Sequence, residues 1–360
     1  MVRRLPYACL ALCCALSWLF AGAALAQPQA AVQLPKGEHV LSAAWAGTAR
    51  MSVLVSTGSG LGLRSIDLDS GQVESPAVPK SFQALKANGG AVMKLSPSGS
   101  GLAVLEPSSD PLNRPGLSLY LYESGQWVES STRQVPRSFF TGQMAWDEQG
   151  TRLYLAAMPY ISPDQLYSLG MLSAGGGAFQ GLLLKDNLDL ISEIAYLPVR
   201  DGLALRCKGY QGTYPAEPFI ALLDLAQMKY YLLHSEAAGL KMRALSNGEL
   251  LLFPENGNSA GDEWMLALGT TRLRKAAIAS KINRATLETS LNGAWLGFIA
   301  DAGVLGVKGK PEEKYLGLQR VADGKTMVSA AASSDFWFSL ADLVCALSAD
   351  RSAFYFYKLP

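Results

Sequence analysis

From about residue 30 onward the chain alternates short apolar runs with short polar turns. The apolar runs are four to six residues long, too short for helices and rich in Val, Leu, Phe and Tyr. Such runs bounded by Gly, Ser, Asn and Asp read as β-strands. One unit recurs: an apolar strand, a small turn, and a second apolar strand. Its copies are Ala44–Gly47 leading to Met51–Val55, Leu95–Gly99 to Leu102–Leu105, Trp146–Gly150 to Leu153–Ala156, and Leu197–Asp201 to Leu203–Cys207. Three more follow: Leu245–Gly248 to Leu250–Phe253, Ser290–Gly293 to Trp295–Ile299, and Leu347–Asp350 to Ala353–Tyr357.

A second hairpin alternates with the first. It is clearest at Ser65–Gln72 and Leu119–Gln126, with weaker copies turning at Gly175–Gly177, Ala226–Gln227, Gly269–Thr270 and Asp323–Gly324. Gly, Asn and Asp at these turns supply the positive φ of tight hairpins. Two hairpins make a four-stranded unit, and such units repeating every ~40–60 residues predict β-propeller blades. Runs such as Leu250-Leu251-Leu252-Phe253 fit strands covered on both faces, as blades are. The expected fold class is therefore all-β, one domain over residues 27–360, with seven blades; six or eight remain open. The last repeat lacks a second hairpin. Phe336–Leu340 is expected to add one strand to it, and the segment around Ala31–Leu34 to supply its outer strand, closing the ring.

Residues 1–26 read differently. Arg3 and Arg4 precede an apolar stretch, and Ala24-Leu25-Ala26 is a small-x-small cleavage site. That is the pattern of a secretory signal peptide, with a transmembrane anchor as the alternative. Cys13 and Cys14 lack the small preceding residue of a lipoprotein signal, and Cys9 sits too early. The expected location is the periplasm. Cleavage removes two Arg and no acid, leaving 29 basic against 30 acidic residues. A near-neutral chain has no global electrostatic reason to seek nucleic acid or an anionic membrane. No later stretch is long and apolar enough to span a bilayer.

Leu95-Ser96-Pro97-Ser98-Gly99-Ser100-Gly101-Leu102-Ala103 resembles the strand-turn-strand of TolB-like and WD40-like propeller repeats. Trp146-Asp147-Glu148-Gln149-Gly150-Thr151-Arg152-Leu153-Tyr154 looks like a second copy, and Ile66–Val73 is similar to the hairpin of YVTN-type and quinoprotein-type propellers. The resemblance implies blade architecture. Propellers of these groups include envelope scaffolds, hydrolase-associated domains, lactonases and cofactor enzymes, so it leaves the function open.

Residues able to carry chemistry are sparse. His39 and His234 lie far apart and do not form a zinc pattern. Glu255–Glu263 has oxygen donors without calcium-loop spacing. Asp67 and Asp69 mark a strand end. No Gly-x-Ser-x-Gly elbow is present, and a Ser-His-Asp triad would have to use one of the two His. Gly58–Gly62 joins two strands instead of a strand and a helix, so it is not a phosphate loop. Cys207 and Cys345 fall on blades expected to lie across the ring, too far apart for a disulfide. Neither a metal nor a cofactor is expected.

The connections between second and third strands are the long ones: Glu106–Gly116, Ala157–Leu166, Lys208–Pro218, Pro254–Glu263 and Asp301–Lys314. Long loops on a rigid scaffold concentrate function. They hold the candidate binding residues Arg114, Tyr160, Tyr210, Tyr214, Asp262, Lys310 and Glu312. The expected function is a binding or scaffold protein that recognises an envelope protein or small-molecule ligand through this face. The alternative is an enzyme, a lactonase-like hydrolase or a cofactor-dependent oxidoreductase, acting at the channel mouth. That alternative requires charged groups converging from different blades.

Overall fold

The computed structural model describes residues 24–85, 91–106, 116–134, 143–156, 167–176, 178–184, 190–208, 218–235, 237–254, 263–266, 273–276, 284–308, 310–339 and 342–360. Two short strands come first, β1 (Ala24–Ala26) and β2 (Ala30–Gln33). Sheet one follows as β3 (His39–Trp45), β4 (Arg50–Thr57), β5 (Gly60–Asp67) and β6 (Gln72–Glu74). Sheet two is β7 (Val92–Leu95), β8 (Gly101–Glu106), β9 (Gly116–Glu123) and β10 (Gln126–Gln134). Sheet three is β11 (Met144–Trp146), β12 (Arg152–Ala156), β13 (Tyr167–Ser173) and β14 (Gln180–Leu184). Sheet four is β15 (Leu190–Leu197), β16 (Gly202–Lys208), β17 (Phe219–Asp224) and β18 (Lys229–His234). Sheet five is β19 (Leu240–Ala244), β20 (Leu250–Pro254), β21 (Glu263–Leu266) and β22 (Leu273–Ala276).

The remaining strands are β23 (Glu288–Thr289), β24 (Trp295–Asp301), β25 (Lys314–Arg320), β26 (Thr326–Phe338), β27 (Leu343–Ser348) and β28 (Ala353–Lys358). They join into one sheet, because β26 serves two partners. Thr326–Ala332 pairs with β25, and Ser333–Phe338 pairs with β27. The first half completes sheet six, β23–β24–β25–β26. The second half opens a last sheet, β26–β27–β28–β2, in which Ala30–Gln33 lies antiparallel to Ala353–Phe356.

Apart from β1, which lies parallel to β26, the within-sheet neighbours are antiparallel, and consecutive strands pair as the hairpin pattern predicts. The apolar runs are explained by packing on both faces. In β8, Leu102 and Val104 pack on sheet one while Ala103 and Leu105 pack on sheet three. In β20, Leu250 and Leu252 face sheet four while Leu251 and Phe253 face sheet six. A strand with period-two side chains and cover on both sides has no polar face to show. Similar seams join sheets three and four, sheets six and last, and last and one.

The seventh predicted hairpin occupies a different place from that expected. In five sheets a residue at or just past the end of the third strand donates to the first turn: Leu68 N to Ala49 O, Tyr122 to Ser100, Ala174 to Thr151, Leu225 to Asp201 and Val321 to Ala294, at 2.8–3.2 Å. In the last sheet the corresponding bond is Leu359 N to Asp342 O, 2.8 Å. The first turn is therefore at Ser339–Asp342, and Leu347–Ala353 is the middle connection. The sequence misleads because Ser348 repeats the first-turn chemistry. Its hydroxyl accepts from Ala353 N at 2.9 Å, as Ser96 does from Gly101 N and Ser290 from Trp295 N. The strand at Phe336 and the N-terminal strand do join this sheet as expected.

Two four-residue helices, α1 (Lys80–Gln83) and α2 (Ala302–Leu305), interrupt the all-β pattern. No described helix is long and apolar enough to cross a membrane. Cys207 and Cys345 are both free and buried, in separate seams. Burial pushes both thiols well above their ordinary range. A thiol that is both covered and protonated is a poor nucleophile. Both are expected to stay silent to a disulfide-exchange reagent in the native protein and to react on unfolding. Rapid titration of either one under native conditions would contradict this packing.

Candidate functional site

The strands have two ends with different chemistry. At one end lie the first turns, and these are tied to one another. Ser98 Oγ donates to Gln149 O at 3.0 Å, Arg152 Nη2 to Asp201 Oδ1 at 2.7 Å, and Ser246 N to Glu288 Oε1 at 2.7 Å. Gly150 shows how tight this end is. Its φ is +73°, and a Cβ there would lie 2.8 Å from the Ser96 side chain. Asp147 is completely buried and accepts from Thr151 N, Thr151 Oγ1, Arg152 N and Arg152 Nε at 2.6–3.1 Å. Tyr154 stacks on Tyr196 at 6.0 Å, and burial pushes its hydroxyl up to about 12. Two grooves here, of 230 Å³ (Arg200, Gly202, Leu222, Asp224, Tyr231) and 190 Å³ (Ser290, Leu291, Asn292, Ser339, Asp342, Leu359), are smaller than ordinary ligand pockets.

At the other end are the middle connections. Arg114, Tyr160, Tyr210, Tyr214 and Asp262 lie outside the described residues, as does most of the oxygen-rich loop Glu255–Glu263. Lys310 and Glu312 are described, and both are exposed between α2 and β25. Their loop is held by its own backbone: Glu313 N donates to Lys310 O at 3.0 Å, and Ala302 N to Glu313 O at 2.7 Å. Neither side chain has a polar partner among the described residues. In the same end of the molecule, Arg351 Nε donates to Val40 O at 2.7 Å, and His39 Nδ1 meets Asp350 O at 3.3 Å. That contact gives His39 a structural role. The Gly58–Gly62 segment turns β4 directly into β5, as its sequence suggests. Asp67 accepts from Ser70 N and Ser70 Oγ, both at 2.9 Å, closing a strand end.

Between the two ends run the first strands of the sheets, which approach one another in the pairs β3–β7, β11–β15 and β15–β19. They carry charges that the sequence reading passed over. Glu193 takes Arg206 Nη1 at 3.4 Å and Met242 N at 3.0 Å. Arg243 Nη2 reaches Glu288 Oε2 at 3.3 Å. Burial raises the carboxyl of Asp335, while the Arg243 and Arg351 guanidiniums oppose that rise. Lys94 Nζ donates to Met144 O at 2.6 Å. Its side chain is open to water, yet protein surrounds it closely enough to hold the amine below its ordinary range. These groups share a sequence position: Lys94, Arg243 and Glu288 each stand two residues before a first turn.

The charged groups converge from several sheets, but the acids are already matched. Glu193 and Glu288 hold arginine and backbone N–H groups, and Asp335 accepts from Phe336 N at 2.9 Å. Among the described residues, no three His, Cys, Asp or Glu side chains are grouped as metal ligands.

No family model and no curated protein matches the chain. Solved structures do match it. An oligogalacturonate lyase in complex with manganese is 12% identical, with 94% of this chain and 96% of that one covered and a TM-score of 0.56. The oligogalacturonate lyase from Vibrio parahaemolyticus is 10% identical over 91% and 92%, with a TM-score of 0.55. TolB from Acinetobacter baumannii is 12% identical over 85% and 78%, with a TM-score of 0.43. The chain has the propeller-type fold of the two oligogalacturonate lyases. At such identities the likeness is one of fold and carries no activity across.

Proposed function

We propose that this chain is an exported binding protein, a closed seven-bladed propeller that recognises an envelope protein or small ligand through the end bearing its long middle connections. Closure is supported by the seams, which run from sheet one through each neighbour to the last sheet and back to sheet one. It is supported further by β2, which gives the three C-terminal strands of the last sheet their fourth partner. Export rests on the leader pattern of residues 1–26, with the periplasm as destination.

The observation that carries the binding reading is the contrast between the two ends. One end is tied together by hydrogen bonds between neighbouring sheets, and two grooves among its described residues are small. The other presents long connections, on which Lys310 and Glu312 stand exposed and unpaired among the described residues. Binding is favoured over catalysis because the first-strand acids Glu193 and Glu288 are held by arginine and backbone N–H groups.

The test is recovery of the tagged protein from the envelope, with its companions identified by mass spectrometry. Alanine at Lys310 and Glu312 together, or at Tyr160, Tyr210 and Tyr214 together, is expected to weaken the specific companion by about tenfold or more. Undiminished recovery with all five positions replaced would overturn the proposed face.

A further inference from the structure

The predicted cleavage site is part of the sheet structure. Ala24, Leu25 and Ala26 form β1, parallel to β26, in the register Ala24–Met327, Leu25–Val328 and Ala26–Ser329. Ala26 is half-buried against the seam formed by Trp295, Phe336, Tyr357 and Leu359, while Leu25 stays 54% exposed. The chain is then fastened a second time. Gln29 N donates to Phe356 O at 2.7 Å, and β2 runs along β28. The two fastenings lie on opposite sides of the Ala26–Gln27 bond. A cut at that bond takes away β1 and leaves β2 in place.

What remains is the outer edge of sheet six at Met327–Ser329, with its backbone groups unpaired beside an apolar seat that had held an alanine. A bare edge with free N–H and C=O groups is a template for another strand. Strand addition draws affinity from main-chain bonds and specificity from the seats of alternate side chains. We propose that the processed protein accepts, at this edge, an extended segment of another envelope protein, parallel to β26, with a small apolar residue in the Ala26 seat. The position it reads is the small residue in the Ala26 seat, because Ala26 packs on the apolar seam while Leu25 stays exposed. This proposal rests on the export reading, and it adds a second contact surface to the loop face.

The experiment has two stages. The protein is recovered from the envelope and its N-terminus sequenced, with Gln27 expected first. A fluorescent peptide with Ala-Leu-Ala at its centre is then titrated onto this processed protein and onto full-length chain retaining Ala24–Ala26. Saturable binding is expected to the processed form only. A peptide with Pro in place of the central Leu, which lacks the backbone donor, is expected to bind about tenfold more weakly or worse. A start other than Gln27 overturns the processing reading and the proposal with it. A start at Gln27 with no binding, or with equal binding of the Pro peptide or the unprocessed chain, overturns the proposal alone. So does sedimentation showing that the processed chain pairs with a second copy of itself through this edge.

Discussion

Phe354→Ala is expected to destabilise the protein by roughly 3–5 kcal/mol, the usual cost of removing a buried aromatic ring from a packed core. Phe354 is completely buried between the last sheet and sheet one, with Trp337 at 6.1 Å and Phe356 at 6.5 Å, ring centre to ring centre. It shares a buried cluster with Val40, Met51 and Val53 of sheet one and with Val32, its ladder partner in β2. The cavity therefore opens where the two ends of the chain meet. Urea unfolding measures the loss. Hydrogen exchange localises it, with the amides of Ala30–Gln33 expected to lose protection before those of sheets two to four. A loss below about 1 kcal/mol, with no change at β2, would mean that this seam does not hold the last sheet to sheet one.

Asp147→Ala is expected to cost a similar amount, about 3–5 kcal/mol, by a different route. The carboxylate has no exposure and serves two backbone N–H groups, one hydroxyl and one guanidinium. Its removal strands buried donors at about 1–3 kcal/mol each. The guanidinium of Arg152 is partly open to water and keeps Asp201 at 2.7 Å, which limits the loss on that side. Asp147→Asn retains an acceptor for Thr151 N and Arg152 N, so its cost should be less than half that of alanine. Equal losses for the two substitutions would show that charge, and not hydrogen-bond capacity, is what the turn needs.

Much of this architecture was legible in the residues. Strand–turn–strand units can be read because each turn needs Gly, Ser, Asn or Asp while each strand needs bulk. Leu250–Phe253 could be read as covered on both faces because no polar position breaks it. The last sheet was harder. Ser348-Ala349-Asp350 has the chemistry of a first turn, and only the bond from Leu359 N to Asp342 O shows that the true first turn comes earlier. Short polar turns are interchangeable in sequence, and their place in a sheet is fixed by partners far away.

The candidate site was less legible. Lys310 and Glu312 stand exposed where the loop pattern suggested. Lys94, Glu193, Arg243, Glu288 and Asp335 were missed. A lone charge in an apolar strand looks like an edge residue until the neighbouring sheets are in position. Glu193 meets Met242 N, and Arg243 meets Glu288, only because the first strands of different sheets lie side by side.

The pairing of β2 with β28 also sets a clock. Ala30 and Phe356 stand 326 residues apart in sequence (356 minus 30), yet they are partners in one ladder. More than 300 residues of chain must be gathered before that ladder forms, and loop-closure entropy makes such long-range contacts the slow ones. Until then the N-terminal strand has no partner and the first sheet has one bare face. Joining should be the final, rate-limiting event of folding. A protein assembled in this order spends its vulnerable time with one edge of β28 bare, and the ladder to β2 is what covers it.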